Sequence, residues 1–499
     1  MTKLRKESRD IPSSPSKPLR ILASGTLFYT HTLAVPCHPA PSTVIRAHSV
    51  TKTRGGSASS ILSLLAQFPS TVESILVASL GGNNEGQILI KNLEKEGVQT
   101  RYCKVWPDSG VPSAWVIQAT ENDTRTVINH NPLPDITHEE FVSLLGPLLI
   151  PENYMFSSPL TSPTLPTAPG TSTNASSPML TPNNSPAPFD WIHFEGRSVK
   201  TTLSNITGLD GLARERKWRS HCVFSVDVGR RSRQGIEALI PHADVLFLNK
   251  HYAQTHSPDY ATTPRTFLLS LMSIAPPHAL LVAHWGSEGA AALSLPTKEY
   301  FQSSGWVSDS PNTAHSSVAQ TGTNADDIRS VRTGSDFWAG GRSSTLSSSA
   351  FTAQDNSTYL GHPSANSKHR SRSRSRGPSP VTSGLDEDDH DSDSQGTEVP
   401  FEGEGDVDDG VVDQVGAQDA FVSGMIYALS RRLVPGAPFT PSSRGEDVSN
   451  YNTKGENDRG KWRLDECLRF ATELAGRKAR RRNWVGLADE MARAGWFDG

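Results

Sequence analysis

The chain has 499 residues, only 35% of them hydrophobic, and a formal net charge of −4. That apolar share does not fill several dense cores at this length, so long stretches are expected to stay unpacked. The near-neutral balance speaks against a nucleic-acid or membrane-surface partner, and no apolar run is long enough to span a bilayer.

Residues 1–18 read as a disordered tail, and their charged start predicts no secretory leader. From residue 19 strands and helices alternate. Arg20 to Ala23 is a predicted strand, and Ile61, Leu62, Leu64 and Leu65 give helical spacing over Ser57 to Phe68. Ser74 to Leu80 reads as a buried strand, and Gly86 to Glu96 as a helix ended by Gly97. Ser113 to Ala119 and Thr124 to Ile128 read as strands around a polar turn. Further strands are predicted at Trp191–Phe194, Cys222–Val226, Asp244–Leu248 and Ala279–Ala283. Helices are predicted at Lys200–Lys217, Ser232–Ile240 and Thr266–Ile274. Uniformly apolar strands separated by amphipathic helices predict an α/β fold, with a mostly parallel sheet covered by helices on both faces.

Residues 19–302 and 409–499 thus read as two parts of one domain. Three stretches interrupt it: the Ser/Thr/Pro-rich 157–188, the low-complexity 303–408 and the polar 436–460. None buries enough apolar area to offset its ordering entropy. The longest carries alternating Arg and Ser over Arg370 to Arg376 and an acidic run over Asp386 to Asp389. Two readings stand: a regulatory, RNA- or partner-binding segment, or a solvated, self-neutralising loop. Cys37, Cys103, Cys222 and Cys467 are widely spaced and form no C-x-x-C pair. They point to a reducing, cytoplasmic compartment and to no zinc site.

Val411 to Phe421 carries the most chemistry. A strand-like start enters a turn, and the turn opens an apolar helix predicted from Ala417 to Leu433. Such a start aims backbone amides and a positive dipole end at one point, with Asp419 beside it. That pairing suits phosphoryl transfer, in which amides hold phosphate charge and a carboxylate takes a hydroxyl proton. It also suits an aspartate that only stabilises a helix start.

The segment resembles the D-T-x-G-A-G-D motif of the ribokinase/PfkB family of sugar kinases, most nearly that of ketohexokinases. Four other stretches match in order. Arg54 to Ser59 resembles R-G-G-N-A-S, and Thr124 to Val127 resembles N-R-T-I. Trp191 to Arg197 resembles W-I-H-I-E-G-R, and Ala283 to Ala290 resembles A-W-x-x-E-G-A. The resemblance implies a ribokinase-like fold with a small β lid that forms a homodimer contact. It implies a kinase that uses ATP and Mg2+ to phosphorylate a sugar. Asp419 would be the catalytic base, and Gly416, Ala417 and Gln418 the anion hole. Thr30, Gly55, Gly56, Ser57, Ser60 and Arg125 would face the sugar. Asn249, Gly286 and Gly289 would face the nucleotide.

Several positions depart from the family. Gln418 stands where the family has glycine, so its side chain is expected to crowd the phosphate or to donate to it. Gln414 replaces a threonine, Thr30 an aspartate, and Ser57 and Ser60 two asparagines. Tyr252 stands where the N-x-x-E motif has glutamate. These changes leave open a catalytically weak relative that binds a nucleotide or metabolite as a regulator or scaffold. The basic run Arg477 to Arg482 is expected to complement a helix end or to contact phosphates.

Overall fold

The computed structural model describes residues 18–69, 72–122, 124–153, 187–229, 235–306, 333–337, 412–432 and 463–497. In chain order the elements begin with β1 (Leu19–Ser24), β2 (Phe28–Val35), β3 (Ser49–Gly55) and α1 (Ser57–Leu65). Next come β4 (Val72–Val77), β5 (Ser79–Gly81), α2 (Asn84–Lys95), β6 (Val98–Gln99) and β7 (Lys104–Trp106). The hairpin β8 (Ser113–Ala119) and β9 (Thr124–His130) leads to α3 (His138–Leu149). The second half contains β10 (Trp191–Glu195), α4 (Val199–Glu215), β11 (Val223–Asp227), β12 (Val245–Asn249), α5 (Lys250–His256) and α6 (Pro264–Ser270). It continues with β13 (Leu280–His284), β14 (Ala290–Ser294), β15 (Glu299–Ser303) and β16 (Thr333–Phe337). It closes with α7 (Gln414–Arg432), α8 (Leu464–Ala479) and α9 (Leu487–Arg493).

Among the described residues, ten strands form the main sheet in the order β16-β15-β14-β13-β12-β11-β10-β1-β4-β6. The pairs from β13 through β12, β11, β10 and β1 to β4 and β6 are parallel. The β14, β15 and β16 edge is antiparallel. The period-2 alternation of the strands sorts their side chains between two cores. Ile21, Ala23, Leu76, Phe247 and Val282 pack with α1, α7 and α8. Leu22, Val77, Ile192, Leu246 and Leu281 pack with α3, α4 and α6. The sheet is thus covered on both faces, as its apolar strands predicted. No helix among the described residues is long and apolar enough to cross a membrane.

The lid is a second sheet in the order β3-β2-β8-β9. Only its β8–β9 hairpin was legible in the sequence. β2 and β3 are built from Thr, Ser, Lys and Arg as much as from apolar residues, so no buried-strand pattern marks them. Strand order, not chain direction, reverses between β1 and β10: β1 leads on to β4 at one side, while the later strands are added from β10 at the other. In open α/β sheets the crevice past the strand ends at such a switch point is where ligands bind.

Four sequence expectations change. Ile236–His242 is a 3-10 segment containing Pro241 rather than a regular helix. Its proline lacks the amide that an α-helical ladder needs. The stretch 303–408 is not wholly an insert: Ser303 ends β15, Trp306 is buried, and β16 pairs with β15 inside that stretch. Residue 187 of the 157–188 stretch is also packed, as Ala187 is buried. Finally, α7 begins at Gln414, three residues before the expected Ala417. The tail 1–17, residues 154–186, the Arg/Ser run, the acidic run and residues 436–460 lie outside the described residues.

Candidate active site

A cleft of about 1200 Å³ opens between the lid and the start of α7. Thr30, Gly55, Gly56, Ser57, Ser60, Arg125, Gly416 and Asp419 all line it. Residues almost 400 positions apart in sequence therefore share one wall.

Gly56 has φ 118, and a Cβ there would come within 2.3 Å of the Thr26 carbonyl oxygen. Glycine is the residue that takes this backbone without steric cost. The turn places Ser57 as the first residue of α1, and its hydroxyl donates to Asp419 Oδ1 at 2.7 Å. Both residues are buried. This bond joins one expected substrate residue to the expected base. Ser60 instead donates back to the Gly56 carbonyl at 3.2 Å. Arg54 spans from β3 to the end of α2, with a two-pronged contact to Glu96 at 2.7 and 2.9 Å. It ties the lid to the body.

The expected anion hole is built differently. Asp413 precedes α7, and its Oδ1 accepts from the Gly416 amide at 2.7 Å. The Ala417 amide is used by the Asp413 carbonyl at 3.1 Å. The helix therefore carries its own carboxylate cap, a strongly preferred arrangement. Lys478 in α8 pairs with that carboxylate. A Cβ on Gly416 would lie 2.4 Å from Asp413 Oδ2 and 2.5 Å from Lys478 Nζ, so glycine makes room for this pair. The Lys478 ammonium also donates to the Arg481 carbonyl at 2.8 Å and lies 4.6 Å from the Trp484 ring centre. Burial pulls its pKa below the usual lysine value, and the Asp413 carboxylate opposes that pull.

Gln418 does not crowd the cleft. It is buried, it is not part of the cleft lining, and its Oε1 lies 2.7 Å from His284 Nδ1. Burial pushes the His284 imidazole down to about 4, so the ring is neutral at pH 7. Asn249, Gly286 and Gly289 form a separate group beside the start of α7. Asn249 Oδ1 accepts from the Tyr252 amide at 2.8 Å and so caps α5. Gly286 has φ 61, and the Gln414 side-chain amide lies 3.8 Å from the position of its absent Cβ. Gly289 has φ 106 and packs against the Ser303 and Ser304 carbonyls, where a Cβ would sit at 2.7 Å from each.

Sequence reasoning missed Asp413, His284 and Arg197 as site residues, and read Lys478 only within the basic run expected at a helix end or on phosphates. Lys478 was legible in principle. Leu474, Ala475 and Ala479 surround it on one helical face, and the structure buries all four. Arg197 lines the cleft and binds Glu195 at 3.0 Å, and Glu195 in turn accepts from the Thr26 amide at 2.8 Å. The basic run is otherwise engaged: Arg477 pairs with Glu473, Arg481 with Glu490, and Arg480 donates to the Trp306 carbonyl. Only Arg482 of this run lines the cleft.

Comparisons with known proteins locate the similarity. Residues 20–168 match the family described as pfkB family carbohydrate kinase. No curated protein matches the chain. Among solved structures, a PfkB protein from Polaromonas sp. JS666 is 13% identical, covering 95% of this chain and 99% of its own, with a TM-score of 0.48. A ribokinase from Thermotoga maritima is 12% identical, covering 95% and 98%, with a TM-score of 0.47. A ribokinase from Cryptococcus neoformans var. grubii serotype A in complex with ADP is 16% identical, covering 55% and 76%, with a TM-score of 0.36.

Proposed function

We propose that the chain is an ATP-dependent carbohydrate kinase of the PfkB type, moving the γ-phosphate of ATP to a hydroxyl of a ketose or related polyol. The observation that carries this reading is the buried Ser57–Asp419 hydrogen bond in the wall of the lid-covered cleft. Asp419 accepts the proton of the acceptor hydroxyl as its oxygen attacks phosphorus and ADP leaves. Ser57 holds the carboxylate in place. The hydroxyl-rich wall of Thr30, Thr32, Thr53 and Ser60 suits a polyol.

ATP would lie along the Gly286–Gly289 turn, where the Gly286 backbone is open toward Gln414. Among the described residues, no group of three or more His, Cys, Asp or Glu side chains could hold a metal. Mg2+ is held largely by substrate phosphates and water in sites of this kind, so it would enter with ATP and supply neutralisation of the phosphate charge. A second copy would pack on the outer face of the lid, where Val50, Trp115 and Ile128 are exposed. The compartment proposed is the cytoplasm, in keeping with four free cysteines.

A second reading, a weak or inactive relative that binds a nucleotide or metabolite, is favoured by the Asp413 carboxylate, which already holds the Gly416 amide. ADP release in a coupled assay over a panel of sugars decides between them. Turnover abolished by Asp419→Asn is expected. Binding of ATP without turnover of any acceptor would support the second reading.

A further inference from the structure

The pair formed by Gln418 and His284 has no part in the steps above. Gln418 is 8% exposed and His284 3%. The imidazole is stacked between Phe421, with ring centres 4.7 Å apart, and Trp306, at 5.6 Å. With Gln418 Oε1 accepting, the imidazole proton is assigned to Nδ1. The Nε2 atoms of both side chains have no hydrogen-bond partner among the described residues. The ring is therefore held by stacking and by one bond to α7. His284 ends β13 opposite Asn249 on β12, and the Gly286–Gly289 turn follows at once.

Adjacent residues on a helix point about 100° apart. Gln418 faces the end of β13, while Asp419 faces Ser57 in the cleft wall. Fixing the first side chain therefore fixes the rotation of the helix start, and with it the aim of the second. We infer that Gln418 is a positioning residue, whose hydrogen bond to His284 sets the rotation of the α7 start and so aims Asp419 into the cleft. The role in turnover rests on the kinase reading; the coupling itself does not.

The surroundings of His284 make the coupling measurable. β12 places Asn249 beside it, β14 places Ala290, α7 brings Gln418 and Phe421, and the segment after β15 brings Trp306. None of these titrates. Nearby charged groups are engaged elsewhere: Asp419 with Ser57, Glu288 with Lys250, and Arg480 with the Trp306 carbonyl. A carboxylate introduced by Gln418→Glu would favour the imidazolium and bring its titration into the pH range of about 5 to 8.

Two arms test the inference on the full chain. The first follows Trp306 emission against pH in the wild type and in Gln418→Glu, with Trp306→Phe as the control for the source of the signal. A new titration in Gln418→Glu, absent from the wild type, is expected. The second measures kcat and KM for the acceptor over the same pH range, with Gln418→Met added as an uncharged variant of similar length. A fall in kcat on the order of 10-fold or more is expected in Gln418→Met, with acceptor KM little changed and thermal melting still cooperative. In Gln418→Glu, kcat should titrate together with the emission. Absence of the Trp306 titration overturns the inference whether or not the protein is a kinase. Wild-type kcat in Gln418→Met, or a kcat that ignores the Trp306 titration, overturns it as well. A wild-type chain inactive on every acceptor brings down the kinase reading alone, and the emission arm then decides the coupling.

Discussion

The first turns of α7 meet two walls of opposite chemistry. Toward the cleft, Asp413, Gly416 and Asp419 meet Lys478 and Ser57. Toward the sheet, Gln418 and Phe421 meet His284 and, among the described residues, no ion pair. Charge is kept where the helix dipole, an opposite charge or a hydroxyl stabilises it. Where burial is complete and no counter-charge stands near, the titratable group is held neutral. One helix start can thus carry a hydrogen-bonded carboxylate on one side and an apolar joint on the other.

The cleft wall should break most sharply at the candidate base. Asp419→Asn should lower kcat by on the order of 10²-fold or more while leaving nucleotide binding nearly intact, because an amide cannot take the hydroxyl proton. Single-turnover ADP release and nucleotide titration check both halves, and wild-type turnover would remove Asp419 from its role. Lys478→Met strips the Asp413 carboxylate of its cation. A loss of about 2–4 kcal/mol in urea unfolding is expected, toward the low end because Asp413 keeps some contact with water. An unchanged midpoint would show that the pair holds nothing together.

The sheet wall predicts a pH effect of similar size. The folded value of His284, about 4, lies below its ordinary 6.5. The unfolded chain therefore binds the extra proton first as pH falls. The contribution is complete above pH 6.5 and is lost between 6.5 and 4, on the order of 3 kcal/mol. His284→Gln should flatten that part of the stability curve, and an equal slope in the variant would move the effect to another group. Ser57→Ala removes one hydroxyl from the Asp419 carboxylate and should cost about 1–2 kcal/mol of transition-state stabilisation, read as kcat/KM. No change there would mean that Asp419 is held by other contacts. The smallest effect is expected from the low-complexity stretch. Deleting residues 340–405, with β16 kept, should shift Tm by no more than about 2 °C, since loop closure costs grow slowly with length.

The alternation of apolar strands and amphipathic helices was legible along the chain, because period 2 and period 3.6 are local properties. So was Asp419, whose neighbours in sequence carry the motif resemblance. The lid strands β2 and β3 were not, since Thr, Ser, Lys and Arg over a solvated cleft leave no hydrophobic pattern. The crowding expected of Gln418 followed from its standing where the resembling family has glycine. In the structure that side chain instead turns toward β13 and meets His284.

From the sequence alone, the strand and helix alternation, the low apolar share of the inserts and the identity of the candidate base were determined. Only the tertiary structure decided that Ser57 reaches Asp419, that Lys478 pairs with Asp413 and that Gln418 meets His284. Each of these contacts joins residues at least 65 positions apart. Side-chain periodicity reports which face of an element is buried. It does not report which distant element that face will meet.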